Sequence, residues 1–448
     1  MSQNDNTKHP KAPLSLNIII VGGGVGGLPT AYLLGRAGHN VTVLDSVAQL
    51  EDVGAGIQLT PNFSRLLIRW GMQDRLDKVA VIPTMLTLRR YANGEIVGWR
   101  GWGDSMQRDH GAPYYHIHRA DLQEMFLDLA TPYMDLRLSS KVVSIDPFSP
   151  SVTLESGETL TADLIIGADG VHSRVRDIVV GAPDKPTPTG DAAYRGLVPT
   201  SMMLADPELK ELVEEGGVTV WMGPGRHLVG YCVRGKQYYN VVMLHASPNA
   251  DEVTRDADPE DMRRDYAAFE PRIRRLLKMI IQTKVWSLKD REALDSWIHA
   301  SNKVVLLGDS CHPMLPYRGQ GAAMAVEDAA VLGALFSRIS SHSQIPALLQ
   351  AYQNLRKPRA TQAQLVSRMN QQIFHFSDGP QQEARDVSMR VAMEAAVKEA
   401  RGEDADACEG SANLWADKAK SAQAFNYDAD NEVDAWWEGD GKTVLTSA

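Results

Sequence analysis

Gly308-Asp309-Ser310-Cys311-His312-Pro313, running on through Leu315-Pro316-Tyr317-Arg318-Gly319-Gln320-Gly321, sets an acid directly behind an apolar strand (Val304 to Leu307) and then bare backbone ahead of a helix opening at Ala322. The carboxylate can accept hydrogen bonds from ligand hydroxyls, and the proline-and-glycine loop can lie against a flat, phosphate-bearing ligand. A second such turn stands near the N-terminus. Gly22, Gly24 and Gly27 form G-x-G-x-x-G after the β-branched run Asn17 to Val21. In that pattern the first glycine allows the tight turn, the second lets backbone approach a pyrophosphate, and the third lets helix and strand pack closely. The following helix, Leu28 to Ala37, aims its free N–H groups at the phosphates. The next strand, Asn40 to Leu44, ends at Asp45, 18 residues after Gly27 and placed to accept from a ribose hydroxyl. Two such turns far apart in the chain predict one large dinucleotide held by a folded-back domain. The glycine turn alone does not separate FAD from NAD.

A chain of 448 residues with 44% hydrophobic and 23% charged residues reads as a globular protein of roughly two to three domains. The net charge of −10 is uneven: from Phe376 onward there are sixteen acidic against seven basic residues, which leaves the body near neutral. No basic patch suggests nucleic acid, and the acidic tail disfavours anionic membranes. Cys232, Cys311 and Cys408 are too few and too scattered for a disulfide framework or a zinc site, so no metal is expected. The polar stretch Met1 to Pro13 reads as a disordered lead, and no apolar run approaches the ~20 residues that span a bilayer. The expectation is a soluble, cytoplasmic protein.

Beyond the first βαβ unit, the sequence predicts a helix over 61–70 and a hairpin of 84–91 with 96–100 turned at Asn93-Gly94. A helix opens at Arg119, and strands follow around 136–145 and 152–154. Leu164-Ile165-Ile166 is a short buried strand that ends at Gly167-Ala168-Asp169-Gly170. From Ala192 to Leu244 glycine-broken alternation predicts a mostly antiparallel sheet, and 259–281 reads as helix with Asp258 as N-cap. Long helices are expected at 327–337 and 347–369, then an acidic helical segment.

The segment Asp163 to Arg176, with Asp169-Gly170 at its strand end, completes a set of three with the glycine turn and the Gly308-Asp309 loop. In this order and spacing, across residues 15–370, the chain resembles the group A flavoprotein aromatic hydroxylases of the para-hydroxybenzoate hydroxylase fold. The stretches at 54–62, 194–196 and 355–359 are similar to the salicylate hydroxylase-like branch. The resemblance implies an α/β fold: a Rossmann-like FAD-binding domain (14–80, 105–180 and 287–370), an interleaved mostly antiparallel β-sheet substrate domain (81–104 and 181–286) and a helical C-terminal extension (371–448).

It also implies site residues. Asp309 would bond the ribityl or pyrophosphate region of FAD, and the loop 316–322, with Gly319, Gly321 and Ala322, would lie along the isoalloxazine edge. Arg119 matches the arginine that contacts the flavin, Gly54 to Ile57, with Ala55 and Gly56, the loop beside the ring, and Asp169 a fingerprint tied to FAD and nicotinamide. The implied chemistry is flavin reduction by NADH or NADPH, addition of O2 as a C4a-hydroperoxide, and transfer of oxygen to a phenolic aromatic acid. Entry at the carboxylate-bearing carbon would expel CO2, as in the salicylate branch. Arg195 and Tyr231 match catalytic positions of fungal relatives, a cation and a donor that would favour the phenolate. Cys311 reads as packing, His312 as structural, and His116 and His118 receive no role. Tyr194, Trp221 and Met222 either line an aromatic pocket or pack. Trp436-Trp437 would cover the domain itself or a neighbouring subunit, which leaves a homodimer open. Hydroxylation without CO2 loss, a flavin oxidase or dehydrogenase, and a silent FAD-binding protein are the alternatives.

Overall fold

The computed structural model describes residues 10–50, 55–247, 255–405 and 408–446. Its first sheet has five parallel strands in the spatial order Val304–Leu306, Leu164–Gly167, Asn17–Val21, Asn40–Leu44, Asp135–Arg137. Ile18, Ile19 and Ile20 are all buried, as a strand covered on both faces requires. Parallel pairing sets Val21 beside Gly167 and Leu44, and Gly167 beside Leu306. The carboxyl ends of four strands therefore carry the glycine turn, Asp45, Asp169-Gly170 and Gly308-Asp309 along one edge. That edge is where open α/β sheets bind ligands.

The second sheet has eight strands, ordered Arg255–Ala257, Thr283–Asp290, Thr187–Pro199, Tyr238–Ala246, Arg226–Val233, Val218–Gly223, Met85–Arg90, Ile96–Gly101. All pairings are antiparallel except Val218–Gly223 with Met85–Arg90, so the early hairpin joins a sheet built mainly from residues beyond 187. Gly56–Leu59 and Tyr115–His118 form a separate ribbon that reaches the second sheet through the Gly56 N–H, which donates to Asn240 Oδ1 at 2.8 Å.

Two helical expectations need correction. The 259–281 segment is two helices, Pro259–Asp265 and Pro271–Lys278. The break falls where Glu270 is extended ahead of Pro271, which offers no N–H, and Trp221 Nε1 donates to the Glu270 carboxylate. Asp258 caps the first of them, accepting from the Glu260 N–H. Conversely, Ile345–His375 runs unbroken through Pro358, longer than the sequence suggests. The tail is helical, and it shares both cores. Pro380–Ala400 lies on Ile96–Gly101, while Val433 and Trp437 of Ala429–Glu438 are buried in the core of the first sheet. Trp437 thus covers its own chain.

A buried ionic network joins these layers. Helix Gly321–Phe336 carries Glu327 and Asp328, both 0% exposed. Arg356 pairs with Glu327 at 2.6 Å and Asp328 at 2.7 Å, and Arg359 pairs with Glu327 at 2.6 Å. Burial alone would raise both carboxyls, but the arginines, together with His312 at Asp328, outweigh it and hold them below the usual range. Their stabilisation is present at neutral pH and lost as pH falls through those depressed values. Replacing Arg356 by Leu would leave two buried carboxylates short of a partner. A loss of about 3–5 kcal/mol is expected, read as a large drop in Tm, and an unchanged melting curve would refute the assignment.

Candidate active site

The three sequence motifs meet at one cleft. A cavity of about 370 Å³ is lined by Gly24, Gly56, Arg119, Arg195, Tyr231, Asp309, Gly319, Gly321 and Ala322. An adjoining cleft of about 400 Å³ is lined by Gly22, Asp45 and Asp169 and shares Gly24, Ala168 and Gly170 with the first. Gly27 and Ala55 line neither. Gly27 is the packing glycine, since a Cβ there would fall 1.9 Å from the Gly22 carbonyl oxygen. Ala55 is buried and contributes its carbonyl, which accepts from the Arg119 N–H at 2.8 Å. Gly54 of the same loop lies outside the described residues.

The adjoining cleft is preset by local hydrogen bonds. Gly22 adopts φ +106°. Asp45 accepts from the Gly23 N–H at 2.8 Å, and Gln123 donates to the Gly23 carbonyl at 2.7 Å, so the turn is pinned from both sides. Asp169 caps helix Arg174–Val180 by accepting from the Arg174 and Val175 N–H groups. Burial raises its carboxyl pKa, while Ser173 and those N–H groups act in the opposite sense.

The Gly308 loop is held from behind. Asp328 accepts from the Gly308 N–H at 3.0 Å and from His312 Nε2 at 2.6 Å, and buried Arg176 donates to the carbonyls of Ser310 and Cys311. His312 and Cys311 are buried beneath the loop and do not line the cavity, so both are structural here. Asp309 alone turns its side chain outward. It meets solvent through the cleft but is otherwise surrounded by protein, and that desolvation raises its carboxyl pKa against the pull of His312 and Arg119.

The sheet-side wall of the cavity follows from strand periodicity. His227, Val229 and Tyr231 alternate on Arg226–Val233 and all line the cavity; Val242 and Arg195 lie across from them on the neighbouring strands. Arg195 lies 3.6 Å over the ring of Trp286, a diagonal neighbour on the next strand. Tyr231 packs so close to Gly56 that a Cβ there would sit 2.9 Å from the hydroxyl. Burial pushes the Tyr231 phenol well up, offset in part by Arg195, so it stays protonated and can donate. His116, 4.3 Å from the Tyr231 ring, is driven down to about 3 by burial and is a neutral packing partner. His118 caps helix Arg119–Ala130. Tyr194 and Trp221 point to the opposite face of the sheet, where they bond Asp265 and Glu270. Met222 shares the cavity-side face and packs in the same core cluster as Val220 and Tyr231, but does not line the cavity. Sequence reasoning did not find Trp102, Trp286, Phe374 or Trp415, all of which line the cavity and none of which belongs to a motif with an inherent spacing. Arg318, also in the lining, falls within the 316–322 loop but received no role of its own.

Residues 15–367 match the FAD binding domain family. The chain belongs to that family. It is 40% identical over 381 residues to the FAD-dependent monooxygenase OpS4 of Beauveria bassiana, covering 84% of this chain and 89% of that one. It is 36% identical over 379 residues to the 3-amino-4-hydroxybenzoate 2-monooxygenase of Streptomyces cremeus, covering 84% and 92%. In fold it is similar to a salicylate hydroxylase solved as a substrate complex, with a TM-score of 0.71 at 24% identity, covering 94% of this chain and 99% of the other. The protein is therefore an FAD-dependent aromatic monooxygenase of the group A type. The residues present fit FAD: Gly24 opens onto free space where a Cβ would meet nothing within 4 Å, and the acids Asp45 and Asp309 stand at the two ends of one continuous cleft. Among the described residues no helix is long and apolar enough to cross a membrane. Asp309→Ala should release FAD during dialysis, read as lost visible absorbance. A variant that stays fully yellow would remove Asp309 from the cofactor site.

Proposed function

We propose that this enzyme hydroxylates a phenolic aromatic acid with NADH or NADPH and O2, oxygen entering at the carbon that bears the carboxylate. In that reaction the carboxylate form of the substrate, NAD(P)H, O2 and two protons give the dihydroxy product, CO2, NAD(P)+ and water. The observation that carries the reading is Arg195 and Tyr231 facing one apolar cavity that opens on the cofactor cleft. Bound FAD supplies the redox chemistry with nicotinamide and O2. Gly22, Gly24, Asp45, Arg119, Asp169 and Asp309, with the loop through Gly319, Gly321 and Ala322, would hold it.

The chain's own residues prepare the ring. Arg195, kept in place by stacking on Trp286, sets a positive charge at the cavity wall. Neutral Tyr231 offers a hydrogen bond from strand Arg226–Val233, two strands away on the same face. Together they favour the ionised phenol, whose electron density activates the ring. Val220, Val229 and Val242 line the same cavity with hydrocarbon and limit water there.

A second reading, hydroxylation at an unsubstituted carbon without CO2 loss, is favoured by the Streptomyces cremeus relative, whose name places oxygen at ring position 2. A panel of hydroxybenzoates scored for NADH and NADPH oxidation, for label from 18O2 in the product and for CO2 separates the two. One CO2 per product supports the first reading, labelled product without CO2 the second, and nicotinamide oxidation without label defeats both. Arg195→Ala should cut coupled hydroxylation by about 10²-fold or more with FAD still bound. Unchanged turnover would exclude it from the chemistry.

A further inference from the structure

The cavity has a second cationic wall that the chemistry above does not use. Arg318, 3% exposed, lines it from the loop that follows Pro316. Its Nη2 donates to the Leu414 carbonyl at 3.2 Å, and its guanidinium lies 4.4 Å over the Trp415 ring. Its Nη1 has no hydrogen-bond partner, and among the described residues no carboxylate forms an ion pair with it. Asp417, which acts on it through space, already accepts from the Gly410 and Lys420 N–H groups and pairs with the Lys420 ammonium.

Two more donors on this wall are likewise unmet. The indole Nε1 groups of Trp102 and Trp415 are buried without a partner, on residues 6% and 7% exposed that also line the cavity. Both rings are fixed, Trp102 by stacking on Tyr114 at 4.6 Å and Trp415 on Phe374 at 6.2 Å. A buried guanidinium with an open nitrogen and two buried indole N–H groups in the same cavity lining have three donors and no protein acceptor. Burying such groups unpaired costs free energy, and an anion would meet both the donors and the charge. Burial has already drawn the Arg318 pKa down to about 10, and it remains charged at neutral pH.

We propose that Arg318, Trp102 and Trp415 form a carboxylate subsite in this cavity, distinct from Arg195, so that the C-terminal segment selects aromatic acids over neutral phenols. This rests on reading the cavity as the substrate site. It adds a specificity role for residues 414–415, which lie past the end of the family match at residue 367. Arg195 answers the phenol oxygen and Arg318 the acid, which makes the preferred ligand a doubly anionic ring.

The test uses the FAD-loaded enzyme and measures dissociation constants from the perturbed flavin absorbance, for the three hydroxybenzoates and their methyl esters. The wild type should bind its best acid at least about tenfold more tightly than the matching ester. Arg318→Gln should weaken that acid by about 10- to 100-fold, the worth of a charge-assisted hydrogen bond, and the ester by less than about twofold. Trp415→Phe and Trp102→Phe keep a ring but remove the N–H, and each should weaken the acid by a smaller factor. Equal binding of acid and ester by the wild type would overturn the subsite, as would a uniform loss of both in Arg318→Gln. A changed flavin spectrum or FAD release without altered acid preference would assign Arg318 to the cofactor instead. If Arg318→Gln does not fold, the wild-type ratio and the tryptophan variants decide. Hydroxylation of neutral phenols with no acid preference would remove the subsite and leave the monooxygenase reading standing. Acid-selective binding with no hydroxylation of any phenol would do the reverse.

Discussion

The buried pairing of Glu327 and Asp328 with Arg356 and Arg359 is the constraint on which the site depends. Glu327, Asp328 and Arg356 are fully buried and Arg359 mostly so, and the network reaches several parts of the fold. Asp328 fixes the Gly308 N–H and His312, which sets the loop that carries Asp309 outward. Glu327 accepts from Asn62 at 2.7 Å and so ties down the segment that leads away from Gly56. Arg359 donates to the carbonyls of Gln423 and Ala424 and lies 4.0 Å from the Tyr427 ring, which anchors the tail. A cofactor loop, the strand beside it and the C-terminal segment are thereby referred to one rigid centre. Buried ion pairs are weak evidence of net stability, and their value here is geometric.

That geometry divides the cleft by chemistry. The carboxyl edge of the parallel sheet offers backbone N–H groups and three acids, suited to hydroxyls and phosphates. The antiparallel sheet offers valines with a few placed polar groups, suited to a flat ring. Gly56 joins the two, because its backbone bonds Asn240 while its missing side chain makes room for Tyr231. One residue thus joins the two sheets at the wall of the cavity.

Much of the cofactor half was legible in the sequence. Each of its motifs is contiguous: strand, turn and acid follow within a few residues, and the turn requires its own glycines or caps. Asp45, Asp169 and Asp309 could be singled out because each stands at a strand end. Their convergence needed only parallel pairing of neighbouring strands. The substrate half was legible in part. Arg195 and Tyr231 came through family resemblance, and period-two alternation agrees with their shared face. Trp221 and Tyr194 looked equally suitable until register turned them to the other side. The long helix through Pro358 and the break before Pro271 show the same limit, since proline is tolerated or not according to what the neighbouring layers can satisfy.

The sequence by itself determined the parallel dinucleotide edge, because that depends on local backbone geometry that short motifs encode, and the order and spacing of three such motifs carried the resemblance to the family and its class of reaction. Only the tertiary structure decided what else faces the ring. Arg195 meets Trp286 across 91 positions, and Arg318 meets Trp415 across 97. No spacing rule links such pairs; they are neighbours because strand register and the folded-back tail place them so. The acidic C-terminal segment, featureless as a string of residues, becomes a wall of the cavity because Arg359 and Arg318 capture its carbonyls.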